Sequence, residues 1–219
     1  MKKKKKILPV KEDNLSYKFY HWGPFLFHTK ITSKECKIIL REGEKCRKKS
    51  NDYRYTLAGH LSEEYTFTDA KDMVAWLNKY FEAYVVAYNK WRGGEHMLST
   101  LTLESLWVNY MKANEFNPPH DHSGDLSFVI YPEMPKVITE ENKRYKGTTM
   151  GPGGISFFYG QGDRQYINVV QHLPEPGDMF IFPASLKHWV YPFRSNIERV
   201  SVSGNIFFGP SITKDYFVK

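Results

Sequence analysis

Three of the eight histidines stand where they could share one metal ion. His120 and His122 follow Asn117-Pro118-Pro119 and precede a run rich in β-formers, Leu126 to Tyr131. His188 follows Gly177-Asp178-Met179-Phe180-Ile181-Phe182-Pro183 and opens another such run. Residues i and i+2 of a strand face the same side, so His120 and His122 can point at one ion. A third ligand from a distant strand can complete one face of an octahedron. Three positions then stay open for substrate and oxygen, as in non-haem iron centres. Zinc held by three protein ligands, as in hydrolases, is the alternative. Each histidine also has a bland reading: His120 as a turn residue, His122 as a surface residue, His188 as a satisfied core residue. The Pro-Pro pair before the first two and the Gly-Asp-apolar-Phe-Pro run before the third favour ligation.

Arg199 is the second feature. It lies eleven residues after His188, in Glu198-Arg199-Val200-Ser201. A cation on the strand after the last ligand is where the distal carboxylate of a keto-acid needs a partner. The planar guanidinium fork takes a carboxylate through two hydrogen bonds. Ser201, on the same face, can donate one more. The bland reading is a surface Arg199 paired with Glu198 or Asp178.

In their order and spacing these pieces resemble the 2-oxoglutarate- and iron(II)-dependent oxygenase superfamily. The resemblance is best to a prolyl-hydroxylase-like branch common in bacteria and marine phages, and it covers roughly residues 100 to 209. It rests on Trp107-Val108-Asn109-Tyr110, Phe116-Asn117-Pro118-Pro119-His120, Leu126-Ser127-Phe128-Val129-Ile130-Tyr131, Pro176-Gly177-Asp178-Met179-Phe180-Ile181-Phe182-Pro183, His188-Trp189-Val190 and Arg199-Val200-Ser201. It implies a double-stranded β-helix, or jelly roll, with iron at its mouth. It implies that His120 and His188 bind Fe(II) and that Arg199 with Ser201 anchors 2-oxoglutarate; for the third ligand, strand geometry favours His122 and charge favours Asp121 or Asp125, and geometry is given the greater weight. 2-Oxoglutarate and molecular oxygen would then yield succinate and carbon dioxide while a C–H bond is hydroxylated. The resemblance further implies that Tyr110 or Tyr131, with Tyr110 ahead, reaches a co-substrate carboxylate, and that Asn205 donates from behind it. Both tyrosines also suit plain core burial, and Asn205 a plain strand position. A prolyl or other side chain of a protein or peptide is the substrate that the family suggests.

One departure stands out. The superfamily's first motif is His-x-Asp, and here the residue two after His120 is His122, flanked by Asp121 and Asp125. An imidazole in place of a carboxylate changes the site charge by one unit. In a strand Asp121 points to the opposite face. Asp125 can return to the ion only if Ser123-Gly124 makes a tight turn. His21, His28, His60, His96 and His172 have no partner at ligand spacing and are read as structural.

These residues need a scaffold. From residue 100 onward, short runs of β-formers alternate with Gly, Pro and Asn clusters, which predicts a sandwich or barrel. The predicted strands are Leu103–Met111, Leu126–Tyr131, Ile155–Tyr159, Asp163–Val170, Met179–Phe182, His188–Phe193 and Arg199–Phe208. The polar, Lys-rich stretch 133–150 reads as a loop over the sheet. Before residue 100 the period is helical. Thr32 or Ser33 can cap a helix over 33–48. A longer helix runs from Thr68 or Asp69 to about Trp91, with Met73, Trp76, Leu77, Tyr80, Phe81, Tyr84 and Tyr88 on one face. Extended segments are expected around Lys18 to His28. The expected organisation is a basic flexible tail over 1–10 and a single oxygenase domain over 11–219. Helical support spans about 33–92 and packs on one sheet of a mainly β core spanning about 100–209.

Bulk properties limit the alternatives. The 219 residues are 41% hydrophobic and 25% charged, an ordinary globular composition, with aromatics high at 16%. The net charge is +7, but Lys2 to Lys6 supply five of those charges and the rest carries +2. That distribution argues against nucleic acid as a partner. Cys36 and Cys46 are too few for a disulfide framework and read as reduced. No apolar run suits a membrane span or a signal peptide, so the expected location is the cytoplasm. Two rivals remain: a cupin-like metal enzyme that does not use 2-oxoglutarate, and a non-enzymatic jelly-roll binding module.

Overall fold

Alternation along each strand decides which layer a side chain meets. The computed structural model describes residues 23–69, 71–93, 100–160 and 168–209. In chain order it has β1 (Phe27–Lys30), α1 (Ser33–Lys49), a 3-10 turn at Arg54–Thr56, β2 (Glu64–Thr66), α2 (Lys71–Trp91), β3 (Leu101–Met111), β4 (Asn117–His120), β5 (Leu126–Ile130), α3 (Lys136–Arg144), β6 (Ile155–Phe158), β7 (Val169–His172), β8 (Asp178–Pro183), β9 (Lys187–Val190) and β10 (Arg199–Phe208). The strands form a six-stranded sheet, β1-β8-β5-β10-β3-β2, and a four-stranded sheet, β4-β9-β6-β7. All pairings are antiparallel. This is the double-stranded β-helix that the sequence predicts, built as two facing sheets rather than one closed barrel.

In β10, Val200, Val202 and Ile206 join an apolar layer beneath the helices, while Arg199, Ser201, Ser203 and Asn205 face the space between the sheets. In β3, Val108 and Tyr110 go to the helical side, and Trp107, Asn109 and Met111 go to the inner side. The same split places Phe128 and Ile130 of β5 under the helices and Val129 and Tyr131 between the sheets. Because both faces are covered, these strands carry almost no exposed side chains.

Helix α2 lays Met73, Leu77, Tyr80, Phe81 and Tyr84 into the outer layer, and Phe81 meets Phe128 edge-on at 5.7 Å. Each such side chain contributes roughly 1.5–3 kcal/mol by burial. Helix α1 starts at a capping box. Thr32 Oγ1 accepts from the Glu35 amide at 3.3 Å, and Glu35 Oε2 accepts from the Thr32 amide at 2.7 Å. Glu35 also accepts from Lys79 and from the Tyr80 hydroxyl, which ties α1 to α2. Burial alone would push the Glu35 carboxyl up; these donors, Lys79 foremost, hold it down at about 2.

Several expectations need correction. The stretch 133–150 contains helix α3. Ile138 is buried against Met134 and the Gly153 backbone, and this one apolar anchor turns a polar stretch into an amphipathic helix. The predicted strand over 163–170 is β7, at Val169–His172; residues 161–167 lie outside the described residues. The strand from His188 stops at Val190, and Phe193 packs between the sheets instead. The basic tail over 1–10, His21 and His96 also lie outside the described residues. Cys36 and Cys46 are buried and unbridged. Among the described residues no helix is long and apolar enough to cross a membrane.

Candidate metal and co-substrate site

The antiparallel register of β4 and β9 sets His120 directly opposite His188. His120 Nδ1 lies 2.7 Å from the Pro118 carbonyl, and His188 Nδ1 lies 2.9 Å from the Leu186 carbonyl. Each ring can only donate there, so its proton sits on Nδ1 and the Nε2 lone pair is free. His122 lies beyond the end of β4, so the strand pleat does not aim it. Its amide donates to the Ala184 carbonyl at 2.9 Å, and this turn swings the ring inward. His122 Nε2 stands 3.2 Å from His188 Nε2. One nitrogen from each of the three rings lies within 4.8 Å of the others. Neighbouring nitrogens on an octahedral ion, each about 2.1 Å from it, are separated by about 3.0 Å, so the donor set fits a single transition metal.

Neither aspartate joins the cluster. Asp121 Oδ2 accepts from Lys187 Nζ at 3.1 Å, and both side chains are more than half exposed. Gly124 does make the tight turn, at φ +90, but Asp125 spends its carboxylate on the Phe208 amide at 2.7 Å. The three rings are kept neutral. Burial, followed by the neighbouring His120 and His122 rings, pushes His188 down to about 3. Burial, followed by His120, pushes His122 down to about 4. Burial lowers His120 as well, against the pull of the Pro118 carbonyl. Neutral imidazoles are the ligating form.

A cavity of about 290 Å³ opens beside the cluster. Arg199 reaches into it with only 2% of its surface exposed. Its guanidinium donates to the Gly153 carbonyl at 2.9 Å and lies 2.8 Å from Met111 Sδ, while Nε has no partner. It sits over the Tyr131 ring at 5.3 Å. No carboxylate pairs with it among the described residues, neither Glu198, which pairs with Arg47, nor Asp178. Burial lowers its pKa, the mark of a cation that lacks an anion. Ser201 Oγ accepts from Asn109 Nδ2 at 3.3 Å, which leaves the hydroxyl proton to point elsewhere. Asn205 lines the same cavity and takes the Ser127 hydroxyl at 2.7 Å.

Tyr110 is a correction. It faces the helical layer, with Arg47 stacked 4.3 Å over its ring, and cannot touch a ligand between the sheets. One residue of strand parity separates it from the cavity-facing Asn109 and Met111. Tyr131 is the tyrosine that lines the cavity, and burial pushes its hydroxyl up to about 12.

His28 and His172 are a second correction, because they do have partners. His28 Nε2 lies 2.9 Å from Asp178 Oδ1, and His172 Nε2 lies 3.0 Å from Asp178 Oδ2. Burial would raise the Asp178 carboxyl, but the Glu175 amide and the two imidazoles hold it below its usual range. Its oxygens are fully engaged, so it reads as a knot that ties β1, β7 and β8 together. Glu64, Asn109 and Asn117 also line the cavity, and sequence reasoning assigned them no role. Asn109 and Asn117 stood inside the quoted motifs. Glu64 had no signal beyond being a charge in a short β-prone run.

Residues 105–205 match the sequence profile of a family described as "Putative 2OG-Fe(II) oxygenase". A search of curated proteins gives no match. Among solved structures the fold is similar to the viral collagen prolyl hydroxylase of Paramecium Bursaria Chlorella virus-1, solved with 2-oxoglutarate. That likeness has a TM-score of 0.53 at 13% identity and covers 84% of this chain and 96% of the other. It is also similar to a prolyl hydroxylase from Trichoplax adhaerens, solved with a peptide of the hypoxia-inducible factor. Here the TM-score is 0.53 at 11% identity, with 85% and 83% of the two chains covered. At such identities the structures speak for the fold, and the profile match speaks for the chemistry. Over residues 105–205, a little under half of its length, the chain is similar to the 2-oxoglutarate- and iron(II)-dependent oxygenases.

Proposed function

We propose that His120, His122 and His188 hold the ferrous iron, that Arg199, helped by Ser201 and Tyr131, binds the far carboxylate of 2-oxoglutarate, and that the enzyme hydroxylates a side chain of a protein or peptide. The observation that carries this reading is the state of Arg199. A buried guanidinium without an anion is costly, and this one lies in the cavity that three neutral imidazoles face. Ferrous iron, when bound, supplies the activation of molecular oxygen. The protein's part is placement. The Pro118 and Leu186 carbonyls keep two ligands in the right tautomer. Three neutral ligands leave the charge of the ion uncompensated, which favours entry of a dianionic keto-acid. Support for a protein substrate comes from the prolyl hydroxylases of similar fold, one of them solved with a peptide, and is an analogy of fold. The free thiols of Cys36 and Cys46 suit work in a reducing cytoplasm.

The test is an anaerobic titration with ferrous iron and 2-oxoglutarate, followed by oxygen. The expected result is a visible charge-transfer band of the ternary complex and then one succinate per 2-oxoglutarate consumed. Iron binding without any response to 2-oxoglutarate would sink the co-substrate assignment.

A further inference from the structure

The cavity has a second polar end, two strands across the sheet from Arg199. Glu64 on the edge strand β2 stands opposite Asn109 of β3, which stands opposite Ser201 of β10. At about 4.8 Å per strand, Glu64 is roughly 10 Å from the Arg199 strand. Three acceptors at this end are buried without a donor among the described residues: Glu64 Oε2, Asn109 Oδ1 and Asn117 Oδ1. All three residues line the same cavity. Asn109 commits its amide nitrogen to Ser201 and Ser203, which leaves only its oxygen to offer. A methyl on Gly59 would lie 2.6 Å from Asn117 Oδ1, 2.9 Å from Leu61 Cδ1 and 3.1 Å from Glu64 Oε1, so it is the missing side chain of this glycine that lets Asn117 and Glu64 pack together at one point of the cavity wall. Nearby cations are already taken: Arg54 pairs with Asp52 at 2.6 Å, and Arg47 and Lys112 pair with Glu63.

Buried acceptors call for a partner. 2-Oxoglutarate cannot be that partner, because its carboxylates offer only acceptors and would be repelled by Glu64. Three convergent acceptors, one of them a carboxyl, match a planar cation with many N–H donors. We infer that Glu64, Asn109 and Asn117 form a substrate subsite that recognises a guanidinium group, so that the primary substrate presents an arginine side chain or a similar guanidino compound. The inference rests on the oxygenase reading only in taking this cavity as the substrate site. Burial, with Glu115 nearby, pushes the Glu64 carboxyl up to about 7, as fits a group whose counter-ion arrives with the ligand.

The test uses the full chain loaded with Mn(II), a redox-quiet stand-in for iron, and 2-oxoglutarate. Nα-acetyl-arginine methylamide and its neutral citrulline isostere are titrated by calorimetry. The arginine probe is expected to bind about 10- to 150-fold more tightly, the range for charge-assisted hydrogen bonds. Glu64→Gln should abolish that preference, and Gly59→Ala should weaken probe binding by pushing Asn117 Oδ1 out of place; melting curves show that each variant is folded. Equal affinity for the two probes, binding of neither, or a preference that survives in both variants overturns the assignment. Titrations repeated without 2-oxoglutarate separate the two readings. An arginine preference in a protein that never binds 2-oxoglutarate would defeat the oxygenase reading and spare this one.

Discussion

Replacing Arg199 with leucine isolates the interaction on which the co-substrate reading depends. The guanidinium is buried and bonded to the Gly153 carbonyl and Met111 Sδ, with no carboxylate partner among the described residues. Replacing a buried charge by a hydrophobe is often neutral or stabilising by about 1–4 kcal/mol. The orphaned Gly153 carbonyl costs about 1–3 kcal/mol in return. The two effects oppose, so ligand-free stability should change by no more than about 3 kcal/mol in either direction. Binding should suffer far more. Removing one partner of a buried ion pair costs about 3–5 kcal/mol, a loss of roughly 100- to 4,000-fold in 2-oxoglutarate affinity. Thermal melting with Mn(II) reads both. At 2-oxoglutarate near 100 times its Kd, the wild type gains about 2.7 kcal/mol, or roughly 5–10 °C for a chain of this size. At the same concentration Arg199→Leu should gain no more than about 2 °C. A full ligand-induced shift in Arg199→Leu would refute the reasoning.

Further outcomes are expected. His122→Ala should lose stoichiometric iron while Asp121→Asn and Asp125→Asn keep it, and His122→Asp should still bind; metal analysis after desalting decides, and loss in an aspartate variant alone would transfer the ligand role. Tyr131→Phe should weaken 2-oxoglutarate binding measurably and Tyr110→Phe should not, because only Tyr131 lines the cavity; the reverse pattern in calorimetry would contradict the strand parity. In metal-free protein, His122 and His188 are held neutral down to about 4 and 3. The unfolded chain therefore binds protons first, and stability should fall as the pH drops below about 6.5. Glu64, raised to about 7, works in the opposite direction. The measurement is thus the difference between wild type and a His122→Gln/His188→Gln double variant in denaturant melts from pH 7 to 5, and identical curves would count against buried neutral rings. Thr32→Ala should cost about 1 kcal/mol by removing the α1 cap, read as a lower melting temperature.

The sequence by itself determined what is local or periodic. The Thr32–Glu35 spacing marked the start of α1, and the three-and-four spacing of Met73 to Tyr88 marked the buried face of α2. The Arg-Val-Ser-Val-Ser alternation from Arg199 separated an apolar face from a polar one, since successive side chains of a strand must part. Motif order named His120, His122, His188, Arg199 and Ser201 together. Tertiary structure decided whatever depended on parity, register or contact between distant segments. A linear reading offers both Tyr110 and Tyr131 and puts Tyr110 ahead; only the helices packed over one face of the sheet assign the first to the core and the second to the cavity. Helix α3 exists because Ile138 finds the Gly153 backbone across a turn. His28 and His172 lie 144 positions apart and meet on Asp178, because β1 pairs with β8 while His172, on β7, stands six residues before that aspartate. Glu64 is an ordinary surface charge in the sequence, and becomes a buried acceptor only because β2 joins the edge of β3 with its side chain turned inward.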